Sequence, residues 1–338
     1  MAPSALKPGT ARETLLAARV CDLGLKLEGS PVAPLIGRLR RELRRKGLCR
    51  FRPEFYLTDE WGCPSGQPII GIPFYLAHTS LQRIEREWND LETAHEIMMY
   101  LRHEAGHAFN YAYRIYQRPE WRAMFGPYGR RYREEYRPEP FSRNFVRHLP
   151  GWYAQKHPDE DFAETFAVWL TPGSGWARRY RGQPSLAKLE YVHRLAGELA
   201  DSEPRVRRGR ADWTVSEMKL TVGQIFDRAA ARSRAVIEGS FGDDLEAVFL
   251  PRSSRRKRAR PAWRIVEEHR VPLTDKITYW TGVRRPAVRA LVRSIVEACR
   301  ARGYLGVRGR EPEYLVALTA YGTTLALQYL ARGKFHRV

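Results

Sequence analysis

Two histidines and a glutamate near the middle of the chain have the spacing of a zinc site. The segment His103-Glu104-Ala105-Gly106-His107 follows the pattern HExxH. An α-helix turns by about 100° per residue, so histidines four positions apart lie on one face, where both imidazoles can bind one zinc ion. Glu104 flanks this face and is placed to act as general base on a zinc-bound water. The segment therefore predicts a zinc-dependent hydrolytic centre, and the alternative is a helix whose two histidines only contact polar neighbours.

Such a centre needs a third protein ligand and an open position for water. The residue six positions after His107 is Tyr113, so a third histidine at a short spacing is excluded. A second helix is predicted over 157–170, where Glu160 and Glu164 are four apart and share a face. Glu160 can bind the metal while Glu164 accepts a hydrogen bond from the other ring nitrogen of a ligand histidine. The alternative is an ordinary acidic N-terminus on a surface helix.

The pattern of apolar residues predicts the elements that hold these side chains. Apolar residues recur at steps of three and four between Leu91 and Pro119, which indicates one long helix of about seven turns. A glycine costs up to about 1 kcal/mol relative to alanine inside a helix, so Gly106 predicts close packing of another backbone element near the metal. Further helices are predicted over 11–24 and 34–46, and strands over 51–58 and 69–77.

The motif residues carry a resemblance to a known family. With HExxH and the segment Glu160-Asp161-Phe162-Ala163-Glu164, the chain resembles the gluzincins, in particular a bacterial family of zinc-binding metallopeptidases and the lethal-factor type. The resemblance covers roughly residues 18 to 200. It implies Glu160 as the ligand, Glu164 as the residue that supports a ligand histidine, and Tyr153 as a residue that stabilises the transition state.

The same resemblance implies an α+β, zincin-like domain with a small sheet, an active-site helix and a glutamate helix. It also implies one Zn²⁺ per chain and a peptide or protein substrate. In gluzincins the strand before the active-site helix commonly binds extended substrate as an added strand, which assigns this role to residues 69–77. Pro73 is compatible with an edge strand, although it is equally compatible with a bend. The aromatic and arginine-rich insert at residues 118–150 is expected to form a cleft wall, a lid or an irregular packed excursion.

The charge of the chain is unevenly distributed. Its 338 residues, of which 43% are hydrophobic, suffice for two domains. We predict a metallopeptidase domain over 1–200, a linker over 201–213 and a basic, mainly helical region over 214–338. Residues 205–338 contain 28 Lys and Arg against 13 Asp and Glu. This excess suggests nucleic acid or another polyanion as a partner, whereas the alternative is a solvated basic face. A competing hypothesis is thus an anion-binding protein whose zinc site is structural or vestigial.

One part of the basic region has a pattern found in DNA-binding proteins. Residues 274–305 predict a helix, a turn at Thr281-Gly282 and a second helix, with spacings reminiscent of a helix-turn-helix. The arginines of the second helix would then face phosphates, namely Arg284, Arg285, Arg289 and Arg293. The alternative is a small helical bundle with a basic exterior.

The remaining composition suggests an intracellular setting. The four cysteines show no CxxC spacing, which favours reduced thiols over a disulfide framework. The N-terminus lacks an apolar core of signal-peptide length, and no stretch of 18 apolar residues follows it. We therefore predict a cytoplasmic protein that does not bind membranes.

Overall fold

The computed structural model describes residues 11–88, 91–133, 136, 138–235, 243–254 and 257–335. The chain divides into two compact units, Met1–Phe226 and Asp227–Val338. Helices dominate both units and the strands are few and short, which confirms the α+β prediction. None of the helices in these ranges combines the length and the apolar character needed to cross a membrane.

The first unit contains a two-stranded sheet among helices. Its strands β1 (Glu54–Thr58) and β2 (Ile69–Pro73) pair in parallel, with Glu54 opposite Ile69 and Thr58 opposite Pro73. The elements of this unit are α1 (Arg12–Ala17), α2 (Ala33–Arg45), β1 (Glu54–Thr58), β2 (Ile69–Pro73), α3 (Thr79–Trp88), α4 (Ala94–Tyr113), α5 (Pro119–Phe125), α6 (Pro158–Leu170), α7 (Trp176–Arg179), α8 (Leu186–Glu198) and the start of α9 (Val222–Ala235).

Helix α4 carries the HExxH segment. It begins with a capping box, in which Glu96 N–H donates to Thr93 Oγ1 and Thr93 N–H donates to the Glu96 carboxylate. It ends after Tyr113, because Arg114 takes the left-handed conformation with φ of 53°. The chain then makes a short 3-10 turn whose Ile115 is fully buried. The helix is thus shorter than the seven turns that the sequence predicts.

Helix α6 packs directly on α4 at Gly106. A Cβ atom at this position would lie 2.8 Å from Ala163 Cα and 3.0 Å from Ala163 O. Both neighbours are backbone atoms of the second helix, so only a glycine allows this approach. The prediction of a close backbone neighbour at Gly106 is confirmed, and the contact brings the helix faces that carry His103, His107 and Glu160 together.

We expect Gly106→Ala to destabilise the protein by about 1–3 kcal/mol, because the added methyl group must separate the two helices. Denaturant unfolding measures the effect. Gly37→Ala in α2 is the matched control, since its added Cβ would meet only Arg41 Nη1, at 3.5 Å. Helix propensity predicts that this control gains up to about 1 kcal/mol. Equal stability changes in the two variants would contradict the close contact.

The segment predicted as a linker packs against the first unit. Val206 N–H donates to Ala112 O at 2.9 Å, and Arg210 N–H donates to Gln67 Oε1 at 2.9 Å. The hydroxyl of Thr58 also donates to Trp213 O. Residues 201–213 are therefore attached by backbone hydrogen bonds, and the compact units divide after Phe226 instead.

The strand prediction over 69–77 corresponds to β2 and a 3-10 turn, Phe74–Ala77. Every residue of β2 is buried. β1 pairs with one edge of this strand, and Gly62 pairs with the other edge at Gly71, whose N–H donates to Gly62 O at 2.7 Å. The edge assigned to substrate is thus occupied by the chain itself at this residue.

The second unit is a helical cluster with a short two-stranded ribbon. Strands β3 (Ala259–Pro261) and β4 (Leu305–Val307) pair antiparallel. The helices are α10 (Ala262–Glu268), α11 (Arg270–Thr281), α12 (Arg285–Arg302) and α13 (Glu311–Arg332). Their apolar faces form one core, which includes Ile277, Leu291 and Leu325. A mainly helical C-terminal region is what the sequence predicts.

Candidate metal centre

Three side chains from α4 and α6 converge on one point. His103 Nε2 lies 3.0 Å from Glu160 Oε2, His107 Nε2 lies 3.1 Å from the same oxygen, and the two nitrogens are 3.2 Å apart. Zinc bonds of roughly 2.0–2.1 Å in a tetrahedron separate neighbouring ligand atoms by about 3.3 Å. All three residues are buried. The donor set and its dimensions therefore fit a zinc ion.

The other ring nitrogen of each histidine contacts a carboxylate. His103 Nδ1 lies 2.9 Å from Glu164 Oε1, and His107 Nδ1 lies 2.9 Å from Asp159 Oδ2. An ionised carboxylate only accepts hydrogen bonds, so each Nδ1 carries a proton, and Nε2 is the ring nitrogen that can bind a metal. Glu164 lies where the sequence predicts it. Asp159 has the same role for the second histidine, although the sequence indicates only a favourable helix-dipole charge for it.

Both supporting carboxylates are themselves fixed. Glu164 accepts hydrogen bonds from the backbone N–H groups of His148 and Leu149. Asp159 accepts from Asn110 Nδ2 at 2.7 Å and from Tyr111 Oη at 2.5 Å. Such outer contacts determine the orientation of ligand histidines and increase their basicity. The end of the 118–150 insert thus takes part in the site through its backbone.

The electrostatics of the cluster favour positive charge between the carboxylates. Burial lowers the pKa of His103, but hydrogen bonds to Glu160 and Glu164 outweigh this effect and raise the pKa to about 9. Burial likewise lowers the pKa of His107, and the nearby charges of Asp159 and Glu160 raise it well above its usual value. Burial raises the pKa of Glu160, yet the two histidines hold it well below its usual value. A bound divalent cation would supply the same positive charge.

Glu104 lies beside the two histidines and is buried, with 6% of its surface exposed. Burial raises the pKa of its carboxyl group, and the charges of His103 and His107 oppose the rise only in part. The described residues donate no hydrogen bond to this carboxylate. Its acceptor capacity therefore remains for water or substrate.

Two tyrosines stand next to the centre. The ring of Tyr153 lies 5.5 Å from the ring of His103, between centroids. Its hydroxyl is 3.3 Å from the hydroxyl of Tyr132, which donates to Glu160 Oε1 at 2.6 Å. Tyr132 thus orients the ligand carboxylate through the oxygen that does not face the histidines. The sequence missed Tyr132, since it lies in an insert without a clear period and 28 residues from Glu160.

No protein-family model, curated protein or solved structure matches the chain. The function must therefore be inferred from the geometry of the site.

Proposed function

We propose that the chain is a zinc-dependent metallopeptidase of gluzincin type, with a zincin-like first unit. The observation that carries this proposal is the triangle formed by His103 Nε2, His107 Nε2 and Glu160 Oε2 beside the buried Glu104. Its edges are close to those of tetrahedral zinc, and each histidine is held by a separate carboxylate. These features are what a hydrolytic zinc site requires.

The number of donors favours a catalytic over a structural site. Structural zinc sites are closed by four protein ligands, whereas catalytic sites keep a position for water. Within the described ranges, His103, His107 and Glu160 form a group of converging His, Cys, Asp or Glu atoms, and no fourth such side chain joins them. This count supports hydrolysis over the competing hypothesis of a structural or vestigial zinc site.

His103, His107 and Glu160 would hold the ion, which would supply Lewis-acid chemistry by lowering the pKa of the attacking water and polarising the scissile carbonyl. Glu104 takes the proton of the attacking water and passes it to the leaving amine. Because burial raises its pKa, its carboxylate is a stronger base toward the attacking water than an exposed carboxylate, and it holds the proton more readily at neutral pH. The peptide bond is thereby cleaved without a covalent enzyme intermediate.

Tyr153 is the candidate for oxyanion stabilisation. Burial and the nearby Glu160 raise the pKa of its hydroxyl far above the usual value, so the group stays protonated and can donate a hydrogen bond. Its neighbour Tyr132 already donates to Glu160. In this proposal Tyr132 orients the carboxylate of Glu160, and Tyr153 donates a hydrogen bond to the oxyanion of the substrate.

The proposal predicts that cleavage of a proteome-derived peptide library depends on zinc. We expect cleavage with the zinc-loaded protein, none after treatment with a chelator, and recovery after one equivalent of zinc is added back. Mass spectrometry of the library measures all three states. A fully metallated, folded protein that leaves the library intact would favour a structural metal site.

A further inference from the structure

In the second unit, a short turn joins two helices with the connectivity of a helix-turn-helix. Helix α11 ends at Thr281 and α12 begins at Arg285, so three residues connect them, which is the usual length for this motif. Gly282 takes the left-handed conformation with φ of 74°, as a sharp turn between helices requires. Val283 is buried and its N–H donates to Thr281 Oγ1. The turn is therefore fixed by an apolar anchor and a side-chain hydrogen bond.

Helix α12 has one buried and one solvent-facing side. Its buried residues recur at helical spacing and face the core of the unit: Ala287, Val288, Leu291, Val292, Ile295, Val296 and Cys299. On the opposite side, Pro286 is exposed and Arg289, Ala290 and Arg293 are partly exposed. In the first half of α12, this outer side is thus basic. The uncharged residues on it are small, so the helix can approach a surface closely.

The charge and the aromatic residues around the turn point to an anionic partner. The unit from Asp227 onwards holds 23 Lys and Arg against 11 Asp and Glu. Arg284, in the turn itself, is exposed. Tyr279 and Trp280 in the last turn of α11 are 52% and 54% exposed. These two aromatic side chains are in contact with each other and add an apolar surface beside the basic residues.

One arginine has a different role from the one predicted. Arg285 forms an ion pair with Asp275 of α11, and its side chain is only 16% exposed. This pair joins the two helices of the motif and fixes their relative position. Arg284, Arg289 and Arg293 are the arginines of this set that we assign to phosphate contacts, since Arg284 is exposed and the other two are partly exposed.

We propose that this unit binds double-stranded DNA, with the first half of α12 in the major groove. A helix-turn-helix presents the N-terminal part of its second helix to the groove while the first helix crosses the phosphate backbone. Arg289 and Arg293 are four residues apart and share a face, so both reach the same groove. The binding adds a second activity to the proposed peptidase and does not depend on it.

The test uses the full-length, zinc-loaded protein and a fluorescently labelled mixed-sequence duplex. Anisotropy is recorded over a range of salt concentrations for the parent, for R289A/R293A and for the control R252A/R332A. The control removes the same charge from exposed positions outside α11 and α12. Alanine favours helix at all the helical positions, and circular dichroism verifies that both variants are folded.

We expect R289A/R293A to bind the duplex on the order of tenfold or more weakly at physiological salt, with a salt slope lower by about two. The control should change affinity far less. Equal losses in both variants, or equal parent affinity for heparin, anionic lipid vesicles and the duplex, would assign the binding to general basic charge and overturn the proposal. Absence of duplex binding near physiological salt would overturn it as well.

A further measurement separates this proposal from the peptidase. Glu104→Gln should bind the duplex as the parent does, because Glu104 belongs to the first unit. DNA binding without any peptide cleavage would leave the present proposal standing and remove the proposed function. Peptide cleavage without DNA binding would do the reverse.

Discussion

Glu104→Gln should retain zinc and the folded structure but hydrolyse peptides more slowly by on the order of a hundredfold or more. Glutamine has nearly the same shape as glutamate and cannot accept the proton of the attacking water. General acid–base groups contribute roughly 10²–10⁴ to enzymatic rates, which sets the size of the expected loss. The measurement is kcat/KM on a cleaved library peptide, together with the zinc content of the same sample.

The matched control is Glu190→Gln, the same chemical change at an exposed position of α8. It should leave both zinc content and turnover unchanged. A metallated Glu104→Gln protein that keeps the rate of the parent would remove the general base from the mechanism. A variant that loses zinc as well would show instead that Glu104 stabilises the site in its folded form.

Removing any of the three converging donors should abolish stoichiometric zinc binding. We expect His103→Ala, His107→Ala and Glu160→Ala each to weaken zinc binding by more than the roughly 10–100-fold known for supporting residues. The physical reason is that each substitution opens one corner of a site with three protein donors. Elemental analysis after dialysis against a weak chelator measures the retained metal.

His95→Ala on α4 and Glu190→Ala on α8 are the controls, since both positions are exposed. They should keep one equivalent of zinc. Full zinc retention in Glu160→Ala, with loss in both histidine variants, would place the third ligand elsewhere and remove the gluzincin assignment. Retention in all three variants would exclude the whole cluster as a metal site.

The sequence by itself determined the features that depend on local spacing. Residues four apart share a helix face wherever the helix forms, so HExxH placed two imidazoles side by side and Glu160 and Glu164 on a common face. Pro158 and the acidic residues after it marked the start of α6, which the structure confirms. A glycine in a helix interior likewise indicated a close neighbour before the neighbour was known.

Only the tertiary structure decided which distant groups complete the site. Asp159 supports His107 from 52 residues away, and Tyr132 supports Glu160 from an insert whose sequence has no clear period. The polar segment 201–213 resembles a linker in composition, yet its backbone hydrogen bonds attach it to the first unit. Composition and periodicity report on the faces of single elements. The pairing of faces, of backbone edges and of buried charges depends on contacts between residues far apart in the chain, and packing alone fixes these contacts.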